Sequence, residues 1–191
     1  MATTSAEARS QIVALVRDFV RREVEPVAAE LDRDDRVPHD LIDQMKELGL
    51  FGITVPEEYG GLGLYYTTFA TIFEELSMGL MSLSGAIGTH HILTYVLTHY
   101  GTEEQKERFL PDLASGKKRG GLALTEPGGG TDVANLQTTA AKDGEEYIIN
   151  GSKMFITNGR YGDMFCLLAR TDRDMEPVSY THLTLPTKRI V

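Results

Sequence analysis

The chain has 191 residues, of which 41% are hydrophobic and 25% are charged. These proportions are typical of a globular protein with a buried core, and they exclude an intrinsically disordered chain. The formal net charge of −9 argues against a protein that binds nucleic acid, because the phosphates of a nucleic acid repel an acidic surface. The single cysteine excludes an intrachain disulfide. With no signal-peptide pattern and no apolar run of membrane-spanning length, the sequence predicts a cytoplasmic protein.

The first 119 residues have the spacing of amphipathic helices, with apolar residues recurring every three or four positions. The first predicted helix includes Ile12–Val27 and bends at Pro26. A second, short helix is predicted over Asp40–Leu48, ending at Gly49. A loop with four glycines and a proline follows over Phe51–Leu64.

Three more helices are predicted before residue 120. One covers Thr67–Met78, and the next covers residues 82–100, whose low charge indicates burial. Thr102 and Gln105 have the spacing of a capping box, which predicts that the last of these helices begins between them. Gly116 is in a position to end it.

After residue 120 the turn signals become those of hairpins. Asp143-Gly144, Asn150-Gly151 and Asn158-Gly159 each favour a type I′ turn, and segments rich in β-branched and aromatic residues lie between them. The pattern predicts a meander of antiparallel strands. The predicted fold class is therefore α+β, with an all-α helical domain followed by an antiparallel β domain. The last 14 residues contain no acids and indicate no partner strand.

The segment ALTEPGGGTD, Ala123–Asp132, places three glycines after a short apolar run. It is not a P-loop, because no Lys-Ser/Thr follows, and it does not have the GxGxxG spacing of a dinucleotide fold. The backbone of Gly128–Gly130 can come close to an anion, and the hydroxyls of Thr125 and Thr131 flank it. From the residues alone, two interpretations stay open: one edge of a site for a planar heterocycle and its phosphate, or a surface turn that binds nothing.

The second candidate segment is KMFITNG, residues 153–159. On a strand, Phe155 and Thr157 would point to the same side, where the ring could stack on a ligand and the hydroxyl could donate to it. The alternative is that Phe155 belongs to the core. His90 and His91 have neither the spacing nor the neighbours of a metal pair, so we predict packed helical histidines and no metal site.

Four segments, in this order, resemble the acyl-CoA dehydrogenase family. They are ELGLFGITVPEEYGGLG, GTEEQKERFLPDLASG, ALTEPGGGTD and YIINGSKMFITNG. The resemblance covers residues 5–175, and it implies an N-terminal helical domain, a middle β domain and a C-terminal helical bundle. It also implies an enzyme that uses FAD to remove the α and β hydrogens of an acyl-CoA thioester. The electrons then pass to an electron-transferring flavoprotein.

The resemblance assigns site residues by position. The residues that it places at the FAD are Leu122, Ala123, Leu124, Thr125, Gly130, Thr131, Phe155, Ile156 and Thr157. Thr125 would lie near the pyrimidine end of the isoalloxazine, and Thr157 near N5, the atom that receives the hydride. Thr131 would also contact the acyl-CoA. The chain departs from the family at two positions, where Asn135 replaces a small residue and Phe155 replaces the common tryptophan.

These 191 residues do not include the part of the family pattern that carries the catalytic glutamate, so we assign no catalytic residue. The expected domains are residues 1–119, the helical domain, and residues 120–177, the start of the middle β domain. Residues 178–191 match nothing expected there and are interpreted as a non-native tail. We expect a fragment that is inactive alone, from a full-length protein that forms a homo-oligomer. The alternatives are an acyl-CoA oxidase, another flavoprotein of the superfamily, or a non-catalytic binding fragment.

Overall fold

The computed structural model describes residues 6–171 and, for the backbone alone, residues 180–186. The chain divides into two compact units, one that ends at Lys118 and one that begins at Arg119. The first unit is helical and the second is built on a sheet, so the predicted α+β class is confirmed. Within the described residues we find no helix with the length and apolar character that a membrane span requires.

The helices of the first unit follow the predicted periodicity closely. They are α1 (Ala6–Phe19), α2 (Glu25–Arg33), α3 (His39–Glu47), α4 (Tyr66–Gly79), α5 (Met81–Tyr100) and α6 (Glu103–Ala114). The bounds of α3, α4 and α5 lie within one residue of the predicted ones. A bend was predicted at Pro26; directly before it, a π-helical turn, Val20–Val24, separates α1 from α2. Pro26 lies in the first turn of α2, where its missing N–H costs no helical hydrogen bond.

The core of the first unit is formed by apolar residues of α1, the π-helical turn, α3, α4 and α5, together with the loop that follows α3. Its fully buried members include Val16, Val24, Met45, Leu50, Phe51, Ile53, Ile72, Leu76, Leu83 and Ile87. His91 of α5 is also buried, and its Nε2–H donates to the Leu50 carbonyl at 3.0 Å. Burial lowers the pKa of His91 to about 4, so the ring is neutral at pH 7. The prediction of a packed histidine is confirmed for His91.

The glycine-rich loop between α3 and α4 is compact. Its amides at Leu62, Gly63 and Leu64 donate to the carbonyls of Gly52, Val55 and Ile53, at 2.8, 2.9 and 2.8 Å. The closest backbone approach in this loop is at Gly61, where a Cβ would lie 2.1 Å from the Val55 carbonyl oxygen. The backbone segments therefore approach each other more closely than a side chain would allow.

The capping box at the start of α6 is confirmed. The Gln105 amide donates to Thr102 Oγ1 at 3.2 Å, and the Thr102 amide donates to Gln105 Oε1 at 2.9 Å. The two side chains thus satisfy two amides that have no partner inside the helix.

Thr102→Ala is expected to lower the free energy of unfolding by about 1 kcal/mol, because the first turn of α6 loses its cap. Urea denaturation of the two proteins measures the difference. The control is Thr71→Ala inside α4, whose hydroxyl caps no helix end and donates to the Thr67 carbonyl within the helix. We expect that control to be equal to the wild type or slightly more stable. Equal stability of Thr102→Ala and the wild type would contradict the cap.

The sheet of the second unit is mixed, with both parallel and antiparallel pairs. Its described strands are β1 (Gly120–Ala123), β2 (Thr139–Asp143), β3 (Glu146–Asn150), β4 (Met164–Arg170) and β5 (Tyr180–Pro186). The antiparallel pairs are β2 with β3 and β4 with β5, while β1 runs parallel to β4 and β2 meets β4 in parallel at Thr139–Arg170. The prediction of an antiparallel meander therefore holds for the β2–β3 hairpin and is wrong for the parallel pairings of β4 with β1 and β2.

Two local predictions in this unit also need correction. The hairpin between β2 and β3 forms, but Asp143 pairs with Glu146, so the turn is centred on Gly144 and Glu145. Gly144 has a φ of +60°, which a glycine adopts without strain. Residues 180–186, for which no partner strand was predicted, form β5 beside β4.

Candidate functional site

Two loops of the second unit lie against each other beside β1. We call residues 124–138, which follow β1, the TEP loop, and residues 151–163, which precede β4, the KMF loop. Three hydrogen bonds of 2.8 Å join the KMF loop to β1 and the TEP loop: Lys153 Nζ donates to the Leu124 carbonyl, the Met154 amide to the Thr125 carbonyl, and Asn158 Nδ2 to the Gly120 carbonyl. Residues 153–158 therefore run alongside residues 120–125 in the opposite direction, and the two segments singled out in the sequence meet.

The KMF loop is not a strand, which corrects the prediction for residues 153–157. Phe155 has a φ of +55° and Asn158 a φ of +63°, and two left-handed residues break the alternation of an extended chain. The Phe155 side chain is 88% exposed, so its alternative interpretation as a core residue is wrong. Asn158 lies in a turn within the loop, where its carbonyl accepts from the Tyr161 amide at 3.0 Å.

The predicted residues of β1 line the start of the TEP loop. Leu122 and Ala123 pair with Cys166 and Leu167 of β4. Cys166 is buried, and burial raises the pKa of its thiol to about 11, which agrees with a core residue rather than a nucleophile. Leu124 and Thr125 follow at half-buried positions.

The three glycines of the TEP loop differ in their surroundings. The Gly129 amide donates to the Glu126 carbonyl at 3.1 Å. It is therefore not available to bind an anion, which corrects the expectation from the sequence for this amide. A Cβ at Gly128 would meet nothing within 4 Å, whereas one at Gly130 would lie 3.1 Å from Thr125 Cγ2 and 3.3 Å from Thr125 Oγ1. The missing side chain at Gly130 therefore leaves space beside the Thr125 hydroxyl. Thr131, next along the chain, is exposed.

A buried carboxylate holds the TEP loop in place. Glu126 accepts from the amides of Gln137 at 2.6 Å and Thr138 at 2.8 Å. It also pairs with the Lys153 ammonium at 3.0 Å, and the two side chains are only 6% and 10% exposed. This pair was not predicted from the sequence. No short-range pattern marks it, since the partners are 27 positions apart.

The contacts of Glu126 determine its charge. Burial acts to raise the pKa of this carboxyl, but the amides of Gln137 and Thr138 and the Lys153 ammonium outweigh burial and lower the pKa to about 2. Glu126 is therefore ionised at neutral pH with its oxygens occupied. A carboxylate in that state is a poor proton acceptor, so Glu126 is not a candidate general base.

The hydroxyl and aromatic side chains of the two loops fit a neutral, planar heterocycle. The side chains of Thr125 and Thr157 offer hydroxyls, and the exposed Phe155 offers an aromatic face. The charged pair Glu126–Lys153 is turned into the protein and satisfied there. These hydroxyls, the adjacent aromatic ring and the open space at Gly128 suit the isoalloxazine ring of a flavin.

Comparison with known families shows to which family the chain belongs. The model for the acyl-CoA dehydrogenase N-terminal domain matches residues 6–117, and the model for the acyl-CoA dehydrogenase middle domain matches residues 121–189. The chain belongs to the acyl-CoA dehydrogenase family. The middle-domain match extends to residue 189 and so includes most of the last 14 residues. That residues 178–191 are a non-native tail stays a prediction.

Individual family members are similar to this chain in sequence and in fold. A short-chain specific acyl-CoA dehydrogenase from Clostridium acetobutylicum is 42% identical over 161 residues, which are 83% of this chain and 42% of that protein. Butyryl-CoA dehydrogenase from Megasphaera elsdenii superposes with a TM-score of 0.88 and 32% identity, over 97% of this chain and 50% of that one. A glutaryl-CoA dehydrogenase from Mycobacterium smegmatis, solved in complex with FADH2, superposes with a TM-score of 0.85 and 29% identity, over 96% and 46%. The chain thus spans about half the length of these family members.

Proposed function

We propose that this chain supplies the flavin-facing edge of an FAD-dependent acyl-CoA dehydrogenase that oxidises the α,β bond of an acyl-CoA thioester. The observation that carries the proposal is the pairing of the TEP and KMF loops, which brings the two candidate segments together as one uncharged polar edge. Membership of the family and a similar fold solved with FADH2 support it. We further propose an electron-transferring flavoprotein as the electron acceptor and a homo-oligomer for the full-length protein.

The proposed site uses the residues assigned from the sequence. The residues that we propose to hold the FAD are Leu122, Ala123, Leu124, Thr125, Gly130, Thr131, Phe155, Ile156 and Thr157. Thr131, exposed at the end of the glycines, would also contact the acyl-CoA.

Three side chains of the proposed flavin-facing edge have distinct roles. When bound, the flavin supplies the hydride acceptor for the β-hydrogen. The hydroxyls of Thr125 and Thr157 would donate hydrogen bonds to the ring and orient it. Phe155 would pack on the ring and keep water away from it. Removal of the α-proton needs a base, and Glu126 does not serve because its pKa is held near 2.

Thr125→Val and Thr157→Val are each expected to weaken FAD binding about five- to tenfold, because each removes one hydrogen bond worth about 1 kcal/mol. Titration of FAD against the 191-residue chain, followed by quenching of flavin fluorescence, gives the dissociation constants. Thr71→Val in the first unit is the matched control and should bind FAD like the wild type. A wild-type chain that gives no saturable quenching would overturn the proposed function.

The 191-residue chain by itself is expected to show no turnover of acyl-CoA. The buried carboxylate of the TEP loop, Glu126, is already ion-paired and is a poor proton acceptor, so it does not serve as the base that removes the α-proton. An assay with purified chain, FAD, butyryl-CoA and an artificial electron acceptor tests this, with FAD and acceptor alone as the blank. A rate well above the blank would show that a base is present in these residues.

A further inference from the structure

The side chains of the buried pair Glu126–Lys153 bind backbone groups as well as each other. Its hydrogen bonds to the backbone reach two separate stretches of chain. Lys153 Nζ donates to the Leu124 carbonyl at 2.8 Å, and the Glu126 carboxylate accepts from the amides of Gln137 and Thr138. The pair therefore connects the two ends of the TEP loop with the start of the KMF loop.

The pair also lies directly beside the residues of the proposed flavin edge. Glu126 follows Thr125, and Lys153 is two positions before Phe155. Between them, the Met154 amide donates to the Thr125 carbonyl at 2.8 Å. A shift of Glu126 or Lys153 would therefore move Thr125 and Phe155 together.

The backbone at Phe155 makes such support necessary. Its φ of +55° is a left-handed conformation that a bulky side chain rarely adopts, and it persists only where neighbouring contacts hold it. Lys153 and Met154 are fixed on one side of Phe155 by the contacts above. Asn158 is fixed on the other side by its bond to the Gly120 carbonyl at 2.8 Å. The exposed ring of Phe155 is thus presented by a strained loop that is anchored at both ends.

We infer that Glu126 and Lys153 are positioning residues that set the flavin-facing edge before the cofactor binds. The inference rests on the proposed function. A buried ion pair adds little stability over a well-packed apolar pair of similar volume, but its hydrogen bonds have fixed directions that apolar side chains lack. The pair holds the Thr125 carbonyl, the Met154 amide and the Phe155 backbone in the arrangement that receives the ring.

The double variant Glu126→Leu/Lys153→Met separates positioning from stability, because it replaces the pair with apolar side chains and leaves no unpaired charge. The isosteric Glu126→Gln is the second variant, and it removes the charge while keeping the shape. The control is Lys117→Met, which breaks an ion pair of 3.1 Å with Asp112 in the first unit. Each 191-residue protein is assayed for its melting temperature, for amide hydrogen exchange and for FAD affinity by fluorescence quenching.

The inference predicts that both pair variants fold, bind FAD about tenfold more weakly or worse, and lose exchange protection at the Met154 amide. Lys117→Met should match the wild type in FAD affinity. Pair variants with wild-type FAD affinity and wild-type protection at Met154, alongside a weakened Thr125→Val, would overturn the inference and leave the proposed function in place. A wild-type chain that does not bind FAD, by contrast, would overturn the proposed function and this inference with it.

Discussion

Gly61→Ala will lower the free energy of unfolding by about 3 kcal/mol or more, since it forces a methyl group into backbone that cannot move aside. The new Cβ would lie 2.1 Å from the Val55 carbonyl oxygen and 2.5 Å from Val55 Cβ. That carbonyl is held by the Gly63 amide at 2.9 Å, so it can retreat only by losing a hydrogen bond. The loop would open, and Ile53 and Leu64, both buried, would lose their packing.

The matched control for this prediction is Gly85→Ala. Gly85 lies inside α5, and a Cβ there would meet nothing within 4 Å. Alanine is the better helix former, so this variant should gain about 0.5–1 kcal/mol. Urea denaturation of the three proteins measures both changes. A Gly61→Ala protein as stable as the wild type would show that the loop is looser than the structure describes.

Acid will destabilise the protein through Glu126. The pKa of this carboxyl is about 2 in the folded chain, against 4.5 in the unfolded chain, so the folded state favours the ionised form. The resulting stability is fully present above pH 4.5 and is lost as the pH falls towards 2. Lowering the pKa from 4.5 to about 2 corresponds to about 3 kcal/mol.

Comparison of the wild type with Glu126→Gln isolates this effect. His91, whose pKa is lowered by burial to about 4, also destabilises the fold as the pH drops from 6.5 to 4, but it does so in both proteins. Urea denaturation between pH 7 and pH 2 should therefore show the wild type losing about 3 kcal/mol relative to Glu126→Gln below pH 4.5. Parallel pH profiles for the two proteins would contradict the low pKa of Glu126.

The helical unit follows from the sequence because its signals are local. The apolar spacing that defines α3, α4 and α5 acts over one or two turns, and the capping box of Thr102 and Gln105 spans four residues. The π-helical turn before Pro26 is the exception within these helices. The pattern shows that the regular helix is interrupted near the proline, but not which hydrogen-bond register replaces it.

The sheet and the site depend on contacts between residues that are far apart in the sequence. β1 is only four residues long, and its partner β4 begins 44 positions after it, so the parallel pairing leaves no periodic signal. The KMF loop has β-forming side chains, but its bonds to the chain around Thr125 override that propensity. The candidate flavin segments were identified from the sequence, whereas the pair Glu126–Lys153 that joins them was not.

The flavin site is tested most directly by an NMR titration of the 191-residue chain with riboflavin, which carries the isoalloxazine without the adenosine or its phosphates. The proposed function predicts saturable amide shifts at the TEP and KMF loops, centred on Leu124, Thr125, Gly130, Thr131 and residues 155–157. Titration with AMP in place of riboflavin should leave those amides unshifted. Riboflavin shifts that are absent from both loops, or that are largest in the helical unit, would contradict the site.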